Sequence, residues 1–86
     1  MIHHKKIWPQ FFRAILEGRK TFELRLADWR CKPGDTLVLE EWNPKTKKYT
    51  GRKLKKKVTY VLKTKEVDFW SKKEVEKYGF QVIAFR

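Results

Sequence analysis

The chain has 86 residues and carries 22 Lys and Arg against 10 Asp and Glu, a formal net charge of +12. This length allows one domain, and an apolar fraction of 41% is too high for a disordered tail. No apolar run is long enough to span a membrane, and the N-terminus lacks the apolar stretch of a signal peptide. One cysteine, Cys31, excludes an internal disulfide. We therefore expect a single basic domain, residues 1–86, that works in the cytoplasm without a membrane partner.

The first half of the chain predicts a strand, a helix and a second strand. Ile2 to Ile7 alternates loosely, as a strand does. From Pro9 to Glu17 the apolar residues fall on one helical face; proline suits the first helical position, and Gly18 supplies a left-handed stop. Thr21 to Leu26 alternates strictly between apolar and polar residues. This alternation predicts a strand with one apolar face.

The second half of the chain predicts three more strands and another helix. Pro33-Gly34-Asp35 is a turn signal, and Ser71 with Glu74 has the spacing of a capping box. The predicted strands are Thr36–Trp42, Lys53–Leu62 and Phe80–Phe85, and the predicted helix is Lys72–Tyr78.

The order of these elements indicates a mainly β fold of the α+β class. Because the strands are short and the turns polar, we expect a small, partly closed β-barrel of about five strands, plugged by two short helices. A flat open sheet of this size would leave one apolar face uncovered.

The segment from Gly18 to Arg25 contains the most informative cluster of charged residues. Lys20, Glu23 and Arg25 follow the predicted helix end, and Glu23 and Arg25 share a strand face. A carboxylate between two cations keeps its charge and holds the guanidinium in a fixed direction, which suits recognition of a phosphate or a base edge. The alternative is a solvated strand face with a weak ion pair.

This cluster resembles the G-x-K-x-x-E-x-R signature of ASCH domains, which belong to the PUA-like superfamily of small β-barrels. Other segments are similar to a small stand-alone ASCH-like subgroup of unknown function. These segments are His3, Lys6-Ile7-x-Pro9-x-Phe11-Phe12, Pro33-Gly34-Asp35, Glu41-Trp42-Asn43-Pro44, Tyr49-Thr50-Gly51-Arg52 and Val58-Thr59-Tyr60. The resemblance covers the chain from His3 to about Leu62.

The resemblance implies an RNA-associated barrel with Lys20, Glu23 and Arg25 lining a cleft beside the first helix. It also implies that His3 lies near the rim of that cleft. Some relatives in the superfamily are hydrolases, one acting on acetylated cytidine and another on RNA. If this chain is an enzyme of that kind, Lys20 and Glu23 are its candidate catalytic residues.

The sequence departs from the pattern of the acetylcytidine amidohydrolases. Those relatives keep the lysine, have a threonine where this chain has Glu23, and carry their catalytic glutamate in a C-terminal insertion. The other candidate glutamates here are Glu66, Glu74 and Glu76, and none has a neighbourhood that matches the insertion. The departure favours binding over catalysis.

A second basic feature, which we call the basic flank, lies between Lys45 and Lys57. On a strand, Lys53, Lys55 and Lys57 share one face, and we call these three residues the lysine ladder. Such a ladder either contacts a phosphate backbone or protects a sheet edge from pairing, and the density of charge favours phosphate. The flank consists of Lys45, Lys47, Lys48, Arg52, Lys53, Lys55 and Lys57, with Lys56 between the last two.

The chain has four tryptophans, and each has two possible roles, packing in the core or stacking on a base. Core packing is the favoured role for Trp42 and Trp8. Trp29 lies between Asp28 and Arg30 in a polar connection and is the best stacking candidate. For Trp70 the sequence favours neither role.

No metal or cofactor is expected. His3, His4 and Cys31 lack the spacing of a metal site. The sequence therefore predicts an RNA-binding module, monomeric, with a cleft formed by His3, Lys20, Glu23, Arg25 and Trp29. The alternatives are a small hydrolase acting on a modified nucleoside, a ribonuclease, or a ribonucleoprotein assembly protein.

Overall fold

The computed structural model describes residues 1–85 and shows a small α+β fold. The strands are β1 (Ile2–Ile7), β2 (Thr36–Asn43) and β3 (Lys48–Lys57). The helices are α1 (Pro9–Leu16) and α2 (Lys72–Tyr78), with a short 3₁₀ turn at Thr64–Glu66. Within residues 1–85, no helix is long and apolar enough to cross a membrane.

The three strands form one open sheet with β2 in the centre. β1 pairs parallel to β2, with His3 opposite Leu37, whereas β3 pairs antiparallel to β2, with Leu39 opposite Leu54. Because a parallel pair needs a crossover, the chain between β1 and β2 contains α1 and the long connection that follows it. This connection carries the signature cluster, so the topology places the cluster beside the sheet.

Helix α1 has the local signals that the sequence predicts. Pro9 occupies the first turn, and the carbonyl of Trp8 accepts hydrogen bonds from the amides of Phe11 and Phe12 at 3.1 and 2.9 Å. Gly18 follows the helix with φ of 80°, a conformation that a glycine adopts without strain. The helix therefore ends where the chain must turn toward the sheet.

The core lies between α1 and one face of the sheet. Its buried residues are Ile7, Phe12, Ile15 and Leu39, with Leu37 and Leu54 packed against them. We call this face of the sheet the core face and the opposite one the outer face. Successive side chains along each strand point to opposite faces, so each strand residue belongs either to the core face or to the outer face.

Two predicted strands are absent from residues 1–85, and a closed five-stranded barrel is not seen there. Thr21–Leu26 forms no ladder, and Leu24 and Leu26 are 72% and 81% exposed. Phe80–Phe85 is also irregular and exposed. Alternation is a local pattern, whereas a ladder needs a neighbouring strand to accept its backbone hydrogen bonds.

The predicted strand Lys53–Leu62 is present but lies about five residues earlier in the chain. β3 begins at Lys48 and ends at Lys57, rather than running from Lys53 to Leu62. It begins early because Lys48 pairs with Asn43 across a tight loop. It ends early because β2 starts at Thr36, so the last partners available to Val58 are the backbones of Gly34 and Asp35.

Candidate functional site

A cavity of about 410 Å³ opens at the core face, between the end of α1, the connection after it and the chain that follows β3. Its volume falls within the range of small-molecule sites. Among residues 1–85, five cationic side chains and one carboxylate line it. The charged residues of the lining are Lys20, Glu23, Arg25, Lys56, Lys57 and Lys63.

Glu23 binds both cations of the signature cluster. Lys20 Nζ donates to Glu23 Oε1 at 2.6 Å and to the Phe22 carbonyl at 2.6 Å. Arg25 Nε donates to Glu23 Oε2 at 2.8 Å. The Lys20 and Glu23 side chains are only 15% and 14% exposed, so this network is shielded from bulk water. Glu23 therefore contacts both cations, and its role in orienting Arg25 toward a ligand stays a prediction.

The local structure explains how an irregular segment holds the cluster in place. The amides of Arg19 and Lys20 donate to the Ala14 carbonyl at 2.9 and 3.0 Å, which fixes the chain just beyond α1. Arg25 Nη2 donates to the carbonyl of Lys6 and so attaches the segment to β1. Side-chain hydrogen bonds thus replace the strand ladder that alternation predicted.

The arrangement suits recognition of an anion or a polar base edge. Glu23 compensates one of its two cationic neighbours, so the cluster keeps a positive balance. Arg25 uses Nε and Nη2 within residues 1–85, and a guanidinium has five N–H donors. The remaining donors are available to a ligand, in an orientation that the carboxylate fixes.

Trp29 lines the same cavity and is half-buried. Lys5 Nζ lies 3.9 Å from the centroid of its ring, and the His3 ring is 5.0 Å away. The cavity lining therefore includes Lys20, Glu23, Arg25 and Trp29. His3 contacts the Trp29 ring but does not line the cavity.

His3 instead belongs to a hydrogen-bonded junction centred on Asp35, which is 3% exposed. Asp35 accepts from the Met1 ammonium at 3.1 Å, His3 Nε2 at 2.8 Å and the Lys32 amide at 3.2 Å. The bond to His3 contributes most to holding the pKa of Asp35 well below its ordinary value. Sequence reasoning missed Asp35, whose only local signal was its place after a Pro-Gly turn.

Cys31 lies beside this junction and also lines the cavity. Burial, followed by the charge of Asp35, raises the pKa of its thiol. Possible metal-ligand atoms of His3, Cys31 and Asp35 lie within 4.8 Å of one another. Both oxygens of Asp35 already form hydrogen bonds or ion pairs within the fold. We therefore interpret this cluster as a structural junction rather than a metal site.

Arg52, one member of the basic flank, forms an ion pair with a buried carboxylate. Its Nε and Nη2 donate to the two oxygens of Glu41 at 2.9 and 3.0 Å, and its guanidinium lies 4.7 Å from the Phe12 ring centroid. Glu41 is 3% exposed. The bond from Arg52, with a smaller contribution from Thr50, lowers the pKa of Glu41. Arg52 therefore supports the core, and Glu41 was not identified from the sequence.

The rest of the basic flank divides between the loop before β3 and the two faces of that strand. Lys45 and Lys47 lie in the loop before β3, and Lys48 begins that strand. None of these three lines the cavity. Lys53, Lys55 and Lys57 project from the outer face, whereas Lys56 projects from the core face. Lys56, Lys57 and Lys63 reach the cavity, and no sequence signal had singled out Lys63.

The chain belongs to the family described as Domain of unknown function (DUF3850), whose family model matches residues 2–74. It is also similar to an uncharacterized 12.9 kDa protein in the GpA 3' region of Escherichia phage P2. The two are 40% identical over 60 residues, which make up 70% of this chain and 53% of the phage protein. The chain thus spans about half the length of that relative.

Proposed function

We propose that this chain is an RNA-binding module that holds its ligand at Lys20, Glu23 and Arg25. The observation that carries the proposal is the cavity in which these three side chains form one network beside Trp29. The cavity offers oriented donors, an aromatic ring and a positive balance. These are the features that bind a phosphate and an unstacked base together.

The net charge of +12 supports a polyanion as the partner. Three lysines line the cavity around the chain that leaves β3, so phosphates on either side of a bound base would meet positive charge. A single-stranded segment fits this description better than a duplex, because its bases are free to leave the stack.

The finer fold is part of the same proposal. We assign the chain to the ASCH and PUA-like barrels on the signature at Gly18, Lys20, Glu23 and Arg25. The open sheet would close into a barrel if the segments 21–26, 58–62 and 80–85 paired as strands. Burying the exposed Leu24, Leu26, Tyr60, Leu62, Phe80, Val82, Ile83 and Phe85 would stabilise that closure.

Amide hydrogen exchange tests the closure directly. We expect segment 80–85 to exchange as slowly as β3, while the loop at residues 44–47 provides a fast internal reference. Exchange of 80–85 as fast as that of the loop would contradict the barrel and leave the open sheet as the fold.

Fluorescence anisotropy with a labelled 16-nucleotide single-stranded RNA tests the binding proposal. Arg25→Gln should weaken binding about tenfold or more, because a charged hydrogen bond contributes about 1.5–3 kcal/mol. Arg19→Gln is the matched control, since Arg19 pairs with Glu17 and does not line the cavity. Equal losses of RNA affinity in the two variants would mean that Arg25 contributes only nonspecific charge. If the loss is specific to Arg25→Gln, crosslinking in native extract would identify the RNA.

A second candidate function is hydrolysis of a modified nucleoside. The observation that favours it is the 2.6 Å contact between Lys20 Nζ and Glu23 Oε1 inside a cavity of ligand size. Glu23 is the only carboxylate that lines the cavity among residues 1–85; Glu66, Glu74 and Glu76 do not. Because no second acid reaches Lys20 in the described lining, we rank this function below binding.

Incubation of the pure protein with acetylated cytidine, followed by chromatography, separates the two functions. We expect no deacetylation. Turnover that disappears in Lys20→Ala but persists in Lys63→Ala, which also removes a lysine from the lining, would establish the hydrolase instead.

A further inference from the structure

The outer face of the sheet is a second basic surface, which adjoins the cavity at Lys57. The register places Lys53 opposite Glu40 and Lys55 opposite Val38. Val38 is only 4% exposed, but it lies outside the core cluster beneath α1. Leu54 packs against the core on the other side. Lys53 and Lys55 of the lysine ladder therefore lie on the face opposite the signature cluster, and Lys57 lies where the two faces meet.

The charge of the outer face is strongly positive. His4 and Lys6 of β1 share this face with the ladder, and Glu40 is its acidic residue on β2. Glu40 Oε2 lies 3.7 Å from His4 Nδ1 and 3.4 Å from Lys53 Nζ. Lys55 and Lys57 have no acidic partner within residues 1–85, which leaves their charge for a ligand.

One end of the outer face carries aromatic rings. Trp42 pairs with Tyr49 across the strands, and Lys6 Nζ lies 4.4 Å from the Trp42 centroid and 5.9 Å from the Tyr49 centroid. Tyr49 is 54% exposed, and Trp42, for which the sequence favoured packing, is half-buried. Exposed rings beside lysines are the elements from which single-strand binding surfaces are built.

The two surfaces meet at the C-terminal end of β3. Lys56 points to the core face and Lys57 to the outer face, and both line the cavity. Because β3 is an edge strand, no further strand of the sheet within residues 1–85 separates the two faces there. A continuous path of positive charge leads from the cavity around the end of β3 to the ladder.

We propose that an RNA strand bound in the cavity continues around the end of β3 onto the outer face. There Lys53 and Lys55 contact its phosphates, and Trp42 and Tyr49 stack one of its bases. This inference rests on the proposed RNA-binding function. It adds a second contact surface, and it requires a single strand, because a duplex is too stiff to turn from one face of a sheet to the other.

The path predicts that the ladder acts only on RNA long enough to leave the cavity. Single-strand sites on small domains span about 4–16 nucleotides, so oligonucleotides of these two lengths bracket the path. The test compares the wild-type protein with K53Q/K55Q. The control is K72Q/K73Q, which removes the same charge from α2.

We expect K53Q/K55Q to bind the 4-nucleotide RNA within about twofold of wild type and to lose affinity for the 16-nucleotide RNA. Its negative slope of log K against log salt for the longer RNA should become shallower by about 1.4, since each single-strand phosphate contact contributes about −0.7. K72Q/K73Q should leave that slope unchanged.

Ultraviolet crosslinking of the wild-type protein supplies a readout that needs no variant. Peptides containing Trp42 or Tyr49 should crosslink to the 16-nucleotide RNA and not to the 4-nucleotide RNA. An unchanged salt slope in folded K53Q/K55Q, or crosslinks confined to the cavity, would overturn the path and leave the ladder as edge protection. Failure of the wild type to bind either RNA would overturn the proposed function as well.

Discussion

Glu23 has an unusual position for a carboxylate on a protein that we expect to bind a polyanion. It is shielded from solvent and contacts two cations that point into the cavity. Removing a negative charge near an anionic ligand should strengthen binding if only net charge matters. If instead Glu23 orients Arg25, its removal frees the guanidinium to rotate, and binding weakens. The two roles therefore predict opposite signs.

Glu23→Gln should accordingly weaken binding of single-stranded RNA at fixed salt, by about threefold to tenfold. Glu17→Gln is the matched control, because Glu17 pairs with Arg19 outside the cavity lining. Anisotropy titrations measure both. Affinity that stays level or rises in Glu23→Gln would show that the carboxylate does not orient Arg25.

Neighbouring glutamates on β2 provide a test of burial at the same scale. Glu41 is 3% exposed and bonded by Arg52 and Thr50, whereas the Glu40 side chain is 20% exposed and faces exposed Lys53. Glu41→Gln should lower the free energy of unfolding by about 1–3 kcal/mol, because Arg52 loses a charged acceptor. Glu40→Gln should change it by less than about 1 kcal/mol. Denaturant titration measures the difference, and equal effects would contradict the assigned burial.

At the scale of elements, β3 and α2 are stabilised in different ways. β3 is rich in lysine and forms because the loop at Asn43 pairs it with β2. The Asn43 side chain accepts from the amide of Lys45 at 2.9 Å, and Lys47 adopts φ of 56°. Helix α2, in contrast, has mostly exposed side chains, and Ser71 with Glu74 forms both bonds of a capping box. Its order therefore depends on its own cap.

Ser71→Ala should loosen α2 without unfolding the sheet. Loss of the cap costs about 0.5–2 kcal/mol of local stability, which for an exposed seven-residue helix is enough to accelerate amide exchange from residues 75–78 severalfold. Ser71→Asp retains a capping oxygen and should restore slow exchange. A global loss of stability in Ser71→Ala would mean that α2 packs against the sheet.

At the scale of the whole molecule, the two buried carboxylates determine how the fold responds to acid. Asp35 joins the N-terminus to the start of β2, and Glu41 joins β2 to β3. Hydrogen bonds from His3 and from Arg52, respectively, place the folded pKa values of these groups below the ordinary values of 3.8 and 4.5. Near those ordinary values the unfolded chain therefore binds more protons than the folded one.

The free energy of unfolding should consequently be constant above about pH 5 and decrease as the pH falls below the unfolded pKa values. Denaturant midpoints measured from pH 7 to pH 3 at constant high salt test this, because salt suppresses the repulsion among surplus cations. Glu41→Gln should show a shallower decrease than the wild type. A midpoint independent of pH between 5 and 3 would rule out this role for both carboxylates.

Local signals in the sequence were sufficient for several features of this fold. Pro9 and Gly18 bound α1 within a residue of its observed end, and the capping box at Ser71 predicted α2 over its observed range. Lys20, Glu23 and Arg25 are also close in sequence, just beyond a helix end, and they contact one another in the structure. These features depend on contacts within a few residues, and local sequence determines such contacts.

Other features were decided by which distant segments the core brings together. Thr21–Leu26 has a strand pattern but no ladder within residues 1–85, Arg52 is held by Glu41 rather than left for phosphate, and Asp35 receives the ammonium of Met1. The sequence by itself determined the helices, the positive charge and the cluster after α1. Only the tertiary structure decided which basic residues face the cavity, the outer face or the core, because strand pairing and burial select the partner of each charge.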